Sequence, residues 1–326
     1  MFDRRMLLFG GMAAGVATML RGADGTIRLD AVDVHPPGYP TVEAVKWMGE
    51  ELQRETGGRI HIRQFPSGQL GAEDDSLGFA RYKAVAFCRV AVAALNNAFP
   101  ETRLLSLPYS FRSVDHMRRA IDGKVGDDLL NVFDRRGLVG LAYYDAAPRS
   151  IYNIRRPINV PADLHGLKIR APQSDIFLET LMAMGANPTP LSYGGVFSAL
   201  ETHLIDGAEN NMPSFESSRH FETARFWSET DHSLSPDALL MSKAIHDRLA
   251  PRDQELIRDI ARRSVQVMRE SWDKRVADAR AEVLKAGVQV NQPDVAAFIA
   301  ATQPVRDRYL QDPRLAALYR RIEEVA

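Results

Sequence analysis

The chain has 326 residues, of which 45% are hydrophobic and 25% charged, and its formal net charge is −1. This composition is typical of a soluble globular protein and is sufficient for one large α/β domain or two smaller ones. A net charge so close to zero creates no overall field that would attract nucleic acid or an anionic membrane. We therefore expect no nucleic-acid partner.

The first residues differ from the rest of the chain. Arg4 and Arg5 precede an apolar stretch from Met6 to Leu20, and Ala23 offers a small residue for cleavage. This order is typical of a secretory signal rather than of a membrane span, and the stretch lacks the charges that an amphipathic first helix would carry. We predict that residues 1–23 are an export signal, with Arg4-Arg5 fitting a twin-arginine type. The mature protein is then expected in the periplasm.

From residue 27 the pattern alternates between strand and helix. Residues 27–34 alternate apolar and polar side chains, Thr41 is a plausible N-cap of the helix that follows, and Gly57-Gly58 are expected to end that helix. The segment 59–63 alternates again, and 85–95 is apolar enough to be a strand covered on both faces.

Further strands are expected at 138–143, 167–170 and 204–207. Strands that alternate with helices in this way predict a layered α/β architecture. From Pro251 to Gly287 nothing interrupts a helical pattern, which predicts a helix of about 36 residues and roughly 54 Å. Such a length suits a helix that braces two lobes.

No catalytic signature is present in the chain. The metalloprotease helix, the phosphate loop and the nucleophile elbow are all missing, and the eight histidines show no metal-ligand spacing. Asp74-Asp75 and Glu209 are lone carboxylates, which are weak evidence for acid–base catalysis. Cys88, the single cysteine, lies in an apolar run and is interpreted as a core side chain rather than a catalytic thiol. We expect no enzyme activity, no cofactor and no metal.

Binding chemistry is better represented. Arg170 closes a predicted strand, where ligand crevices form in open α/β sheets, and its planar guanidinium matches a carboxylate. Arg149, in a predicted turn, could supply a second cation, Asn210-Asn211 could meet hydroxyl groups, and Tyr193 could stack or donate a hydrogen bond. The alternative for Arg170 is an ion pair at the surface.

At this point two motifs resemble a known family. Residues 161–172 and 204–210 are similar to signatures of the TRAP transporter solute-binding proteins of the DctP family, and 55–59 with 66–71 fit its N-terminal pattern. The resemblance runs from about residue 27 to the end of the long helix. It implies a two-lobed periplasmic binding protein fold with an interdomain cleft, and a long helix that braces both lobes.

The resemblance also implies an organisation and a site. Lobe I is predicted at 24–146 plus 236–275, and lobe II at 147–235 plus 276–326. The family's carboxylate-binding arginine falls on Arg170 and its second cleft arginine falls near Arg149. Its cleft asparagine falls on Asn210, preceded by Glu209, and its cleft aromatic residue falls near Tyr193.

The segment 35–41 resembles a subgroup of the family associated with sugar acids such as glucuronate and galacturonate. A polyhydroxy acid needs hydrogen-bonding side chains around the anion, and His35, Glu73, Arg89 and Asn211 are candidates to supply them. Each has an alternative interpretation. His35 could form a turn and Glu73 could be a carboxylate at a helix start. Arg89 could be a charge at a strand edge, and Asn211 could cap a helix.

The sequence departs from the family pattern between residues 82 and 89. Lys83 occupies a position where the family has glycine, and Ala86 one where it commonly has aspartate. This departure affects the loop of lobe I that carries ligand contacts.

The function expected from the resemblance is capture of a small organic acid, best fitted by a sugar acid, and its delivery to TRAP membrane permease subunits. The alternatives are an exported lyase or isomerase acting on the same acids, and a sensor subunit that presents the ligand to a receptor.

Overall fold

The computed structural model describes residues 20–21 and 25–325. The predicted export signal therefore lies outside the described residues, except for the short strand Leu20–Arg21. Within the described part of the chain, no helix combines the length and the apolar character needed to cross a bilayer.

Twelve strands form two six-stranded sheets in the described chain. The strands are β1 (Leu20–Arg21), β2 (Ile27–Val32), β3 (Ile60–Phe65), β4 (Phe87–Ala91), β5 (Leu138–Tyr144), β6 (Arg149–Asn153), β7 (Lys168–Ala171), β8 (Asn187–Pro190), β9 (Gly207–Asn211), β10 (Phe226–Ser233), β11 (Asp237–Ser242) and β12 (Gln289–Asn291).

Helices cover both sheets. The α-helices are α1 (Pro40–Glu55), α2 (Glu73–Arg81), α3 (Val92–Leu95), α4 (Val114–Asp122), α5 (Lys124–Leu130), α6 (Asp175–Ala183), α7 (Val196–Glu201), α8 (Met212–Ser217), α9 (Lys243–His246), α10 (Pro251–Lys285), α11 (Val295–Tyr309) and α12 (Pro313–Glu323). Short 3₁₀ helices occur at Pro100–Leu105, Asn131–Arg136, Pro161–Leu164, Tyr193–Gly195 and His220–Glu222.

The two sheets define two lobes. The first sheet has the order β1-β2-β4-β11-β5, with β3 paired to β2, and the second has the order β12-β10-β6-β9-β7-β8. Both sheets mix parallel pairs, such as β2 with β3 and β7 with β9, with antiparallel ones. The chain crosses from the first sheet to the second between β5 and β6 and returns between β10 and β11. The predicted two-lobed α/β fold is confirmed.

The long helix predicted from the sequence is confirmed as α10, which has 35 residues. It contacts α1 and β5 of the first lobe and α8 of the second. Met268 and Trp272 belong to a core cluster with α1, whereas Ala279 and Val283 belong to a cluster of the second lobe. Gly287, with φ of +85°, adopts the left-handed conformation that favours glycine directly after a helix.

Three local predictions were wrong. Helix α1 begins at Pro40 after Tyr39 as N-cap, so Thr41 lies inside the helix, and its hydroxyl donates to the Asp33 carboxylate over 3.1 Å. The predicted strand 85–95 ends at Ala91, and residues 92–95 form α3. The predicted strand 204–207 is irregular at residues 204–206, where Leu204 is exposed, and β9 begins only at Gly207, where the backbone starts to pair with β6.

The predicted interpretation of Cys88 as a core side chain is confirmed. Cys88 lies in β4, is fully buried and packs in a hydrophobic cluster. Burial raises the pKa of its thiol to about 12, which disfavours the nucleophilic thiolate.

The C-terminal helices connect the lobes. Helix α11 contacts α6 and β10 of the second lobe, whereas α12 contacts α5 and the 3₁₀ helix Pro100–Leu105 of the first. Arg112 donates to the carbonyl oxygens of Glu323 and Val325 over 3.0 and 2.8 Å. The segment 276–326 that was assigned to lobe II thus ends in a helix held by lobe I, and the lobe boundaries stay a prediction.

Candidate functional site

Arg170 is the third residue of β7, and its side chain is almost fully buried, with 4% of the residue exposed. Its Nε donates to the carbonyl oxygen of Leu191 over 2.7 Å. Within residues 20–21 and 25–325, neither of its terminal nitrogens has a hydrogen-bond partner or a paired carboxylate. Burial lowers the pKa of Arg170, which nevertheless stays charged at neutral pH. The structure therefore holds a buried cation whose terminal donors are free.

A cleft that is partly open to solvent lies between the lobes and contains this guanidinium. The cleft is lined by Val34, His35, Tyr39, Glu73, Arg89, Ala91, Ala93, Arg149, Arg170, Pro172, Tyr193, Asn210, Asn211, Ser214 and Asp237. It thus brings together every candidate residue predicted from the sequence except Glu209.

Glu209 lies behind the cleft wall, where it is fully buried and holds Arg149. Its two carboxylate oxygens accept from Arg149 Nε over 2.6 Å and from Arg149 Nη2 over 2.7 Å. Burial alone would raise the pKa of Glu209, but Arg149 and the neighbouring His232 lower it to about 2. The second cleft arginine is thus neutralised by a protein carboxylate, unlike Arg170. Arg149 itself is the first residue of β6 rather than part of a turn.

Asn210 and Asn211 are the last residues of β9, not residues that follow a strand. Gly207 begins β9 where only glycine fits, because a Cβ there would lie 2.3 Å from the carbonyl oxygen of Tyr152. Asn210 Oδ1 accepts from Arg149 Nη1 over 3.0 Å, and Asn211 Oδ1 accepts from the backbone N–H of Ser214 over 2.9 Å as the N-cap of α8. With both oxygens used, their amide NH₂ groups have no hydrogen-bond partner in the described chain.

The opposite wall is built around Arg89 in β4. Arg89 is fully buried, not at a strand edge, and its Nε donates to Asp33 Oδ2 over 3.0 Å. Its Nη1 donates to Glu73 Oε1 over 2.9 Å, and Asp237 Oδ2 lies 3.5 Å from the same nitrogen. Burial alone would raise the pKa of Asp33, but Arg89 lowers it. Three carboxylates therefore surround one guanidinium.

His35, Tyr39 and Tyr193 form an aromatic group at the cleft. The rings of His35 and Tyr39 stack with centroids 3.8 Å apart, and Tyr193 meets His35 edge-on at 5.4 Å. Burial, assisted by the charge of Arg89, lowers the pKa of His35 to about 3, so the imidazole is neutral at physiological pH. The Tyr193 hydroxyl donates to the carbonyl oxygen of Ser214 over 3.2 Å, which leaves its ring to line the cleft.

Comparison with known proteins agrees with this architecture. Residues 31–312 match the model of the DctP family, described as bacterial extracellular solute-binding protein, family 7. A solute-binding protein of Chromohalobacter salexigens is 34% identical over 294 residues, which cover 90% of this chain and 88% of that protein.

The chain belongs to the DctP family of TRAP solute-binding proteins.

Solved structures of relatives share the fold of this DctP-family protein. A TRAP solute-binding protein from a Bradyrhizobium species, in complex with α/β-D-galacturonate, is 47% identical, with a TM-score of 0.90, 91% of this chain covered and 99% of that one. A Pseudomonas putida relative with bound D-glucuronate is 35% identical, with a TM-score of 0.89 and coverages of 91% and 97%. The family consists of periplasmic solute-binding proteins that work with membrane permeases and are not enzymes.

The two lobes of this DctP-family protein touch across the cleft. The Tyr39 hydroxyl lies 3.0 Å from Ser214 Oγ, and the Asn96 amide lies 3.1 Å from Ser174 Oγ. At the cleft mouth Ser192 Oγ donates to Asp74 over 3.0 Å. Each of these bonds joins a side chain of the first lobe to one of the second, so the lobes are in a closed arrangement.

Sequence reasoning missed Asp237 and Asp33. Asp237 begins the apolar strand β11 directly after Ser235-Pro236, and Asp33 directly follows β2. Asp33 carried an available signal, since the carboxyl ends of strands lie at the crevice of open α/β sheets, and this is the signal that singled out Arg170. Asp237 lies at the start of its strand, so its place at the cleft depends on the antiparallel pairing of β11 with β4.

Proposed function

We propose that this protein captures a hexuronate, a six-carbon sugar acid such as galacturonate or glucuronate, between its lobes and presents it to the membrane permease of a TRAP transporter. The observation that carries the proposal is Arg170, a buried guanidinium in the cleft with its terminal donors free. A carboxylate is the ligand group that matches two parallel N–H donors of a guanidinium.

Burial makes this pairing both strong and selective. Water is largely excluded from Arg170 in the closed arrangement, so a charge-assisted hydrogen bond there is stronger than one at the surface. A ligand without a negative end would leave the guanidinium buried and unpaired, at a cost of about 2–5 kcal/mol. Lobe closure is therefore favoured by acids.

The remaining lining suits a ligand with several hydroxyl groups. The amides of Asn210 and Asn211 can donate to hydroxyl oxygens, and the neutral imidazole of His35 has one donor and one acceptor nitrogen. The Tyr193 and Tyr39 rings offer apolar surface to the C–H faces of a sugar ring. The uronates bound by the two solved relatives have this combination of groups.

We further propose that residues 1–23 direct export through a twin-arginine signal, in keeping with an extracellular family. Replacing Arg4 and Arg5 together by lysine should retain the protein in the cytoplasm. Equal periplasmic yields of the variant and the natural protein in cell fractionation would contradict the twin-arginine assignment.

The ligand proposal is tested by calorimetry with galacturonate and glucuronate. Arg170→Lys should weaken binding by about 100-fold or more, because a single ammonium cannot reproduce the fork of donors. Arg258→Lys is the matched control, since Arg258 is exposed on α10 and should bind as the natural protein does. Natural protein that binds neither acid, or an Arg170→Lys variant that binds normally, would refute the proposal.

A further inference from the structure

Asp237 differs from the other carboxyl group that lines the cleft. Glu73 Oε1 accepts hydrogen bonds from Arg89 Nη1 over 2.9 Å and from the backbone N–H of Ala91 over 3.0 Å. The Asp237 carboxyl accepts no hydrogen bond from any described residue, and its contact with Arg89 is an ion pair at 3.5 Å. A carboxyl group with unused acceptors therefore faces the cleft, just as Arg170 faces it with unused donors.

The charged groups around Asp237 make its wall of the cleft negative. Asp33, Glu73 and Asp237 share the single guanidinium of Arg89, so the group carries a net charge of −2 when all three carboxylates are ionised. On the wall of the second lobe, Arg149 is matched by Glu209 while Arg170 is unmatched, which leaves a net charge of +1. The cleft is therefore positive at Arg170 and negative at Asp237.

Charged and titratable groups face Asp237 from several elements. They are Arg89 from β4, Glu73 from α2, Asp33 after β2, Arg149 from β6, and Tyr39 from the start of α1. Burial is the main cause that raises the pKa of Asp237, to about 7, and Glu73 and Asp33 add to it while Arg89 and Arg149 oppose it. The charge of this wall thus changes near neutral pH.

We propose that Asp237 determines specificity by accepting a hydrogen bond from a ligand hydroxyl and, when ionised, by rejecting acids that carry a second carboxylate. The inference rests on the proposed function, because it takes the first carboxylate to be held by Arg170. A hydroxyl brings a donor to the free acceptors of Asp237. A second carboxylate brings only acceptors and a like charge, and like charges in apposition cost several kcal/mol.

Galacturonate and galactarate separate these cases, because they share one carbon skeleton and differ by the oxidation of carbon 1 to a second carboxylate. At pH 8 the natural protein should bind galacturonate about tenfold more tightly than galactarate, because one pH unit above its pKa Asp237 must first be protonated to accept the second carboxylate. At pH 6, below the pKa of Asp237, the ratio should fall by about tenfold, since one pH unit is the scale of its titration.

Asp237→Asn should reduce the ratio at pH 8 by about tenfold and should remove its pH dependence, while galacturonate still binds. Asp278→Asn is the matched control, because Asp278 is exposed on α10 and should keep the natural ratio at both pH values. A circular dichroism spectrum and a thermal melt establish that each variant is folded.

The outcomes separate the two proposals. If galacturonate binds through Arg170 but Asp237→Asn discriminates like the natural protein, or if the natural protein binds both acids equally at pH 8, the inference about Asp237 is overturned. If the natural protein binds neither acid, the proposed function itself is refuted, and with it the inference that rests on it. A reduced, pH-independent ratio in Asp237→Asn alone supports the inference.

Discussion

Arg170 and Arg89 lie on opposite walls of one cleft, and both are buried. Arg89 is surrounded by Asp33, Glu73 and Asp237, so its charge is used within the protein. Arg170 makes one hydrogen bond, to a backbone carbonyl oxygen, and no ion pair with any described residue. The same residue type therefore stabilises the fold on one wall and is held ready for a ligand on the other.

The largest expected effect compares these two arginines directly. Arg89→Met should lower the free energy of unfolding by about 3–5 kcal/mol, because it leaves buried carboxylates without their cation. Arg170→Met should change it by no more than about 1 kcal/mol without ligand, because it removes a buried charge that has no paired carboxylate. Urea denaturation at pH 7 measures both values. Equal losses in the two variants would contradict the comparison.

A smaller effect is expected at Glu209, which neutralises Arg149. Glu209→Gln should lower the free energy of unfolding by about 3 kcal/mol at pH 7, since it breaks a buried ion pair. The pKa of Glu209 is lowered to about 2 in the folded protein, so its contribution is present above the ordinary pKa of about 4.3 and is lost as the pH falls through 2.

The difference between Glu209→Gln and the natural protein should therefore shrink between pH 6 and pH 3 in denaturant titrations. Glu255→Gln, on an exposed position of α10, serves as control and should show little difference at either pH. A difference that stays constant over this range would mean that Glu209 is not held ionised by Arg149.

The smallest expected effect concerns lobe closure. Tyr39→Phe removes the hydroxyl that meets Ser214 Oγ across the cleft, a hydrogen bond worth about 1 kcal/mol, so ligand affinity should fall by about fivefold. Ser214→Ala should have a similar effect, and the double variant should be little worse than either single one, because the same bond is lost. Additive losses in calorimetry would show that the two residues act separately.

The fold could be predicted from the sequence because its signals are local. Helix α10 is bounded by Pro251 and Gly287, which favour a helix start and a helix end for steric reasons. Lys83 illustrates a limit of motif comparison. At this position the resemblance implies a glycine, and Lys83 adopts a left-handed conformation with φ of +67°, which favours glycine and is strained for lysine.

The site could be predicted only in part because its partners are distant in sequence. Arg170 was found as a cation at a strand end and Arg149 as a cation in a predicted turn, but the bond from Arg149 to Glu209 depends on the pairing of β6 with β9. Strand β9 has the sequence Gly-Ala-Glu-Asn-Asn and is buried throughout. Its polar residues do not predict a buried strand. Periodicity cannot identify such a strand, because its burial is stabilised by long-range hydrogen bonds.

The attachment of α12 to the first lobe restricts how the molecule opens. In the described chain, four connections join the lobes: residues 145–148, residues 234–236, helix α10, and residues 310–312 between α11 and α12. An opening rotation has to bend all four together, and only an axis that passes close to each of them does so without stretching backbone. We therefore expect the lobes to open mainly by bending about such an axis rather than by twisting against each other.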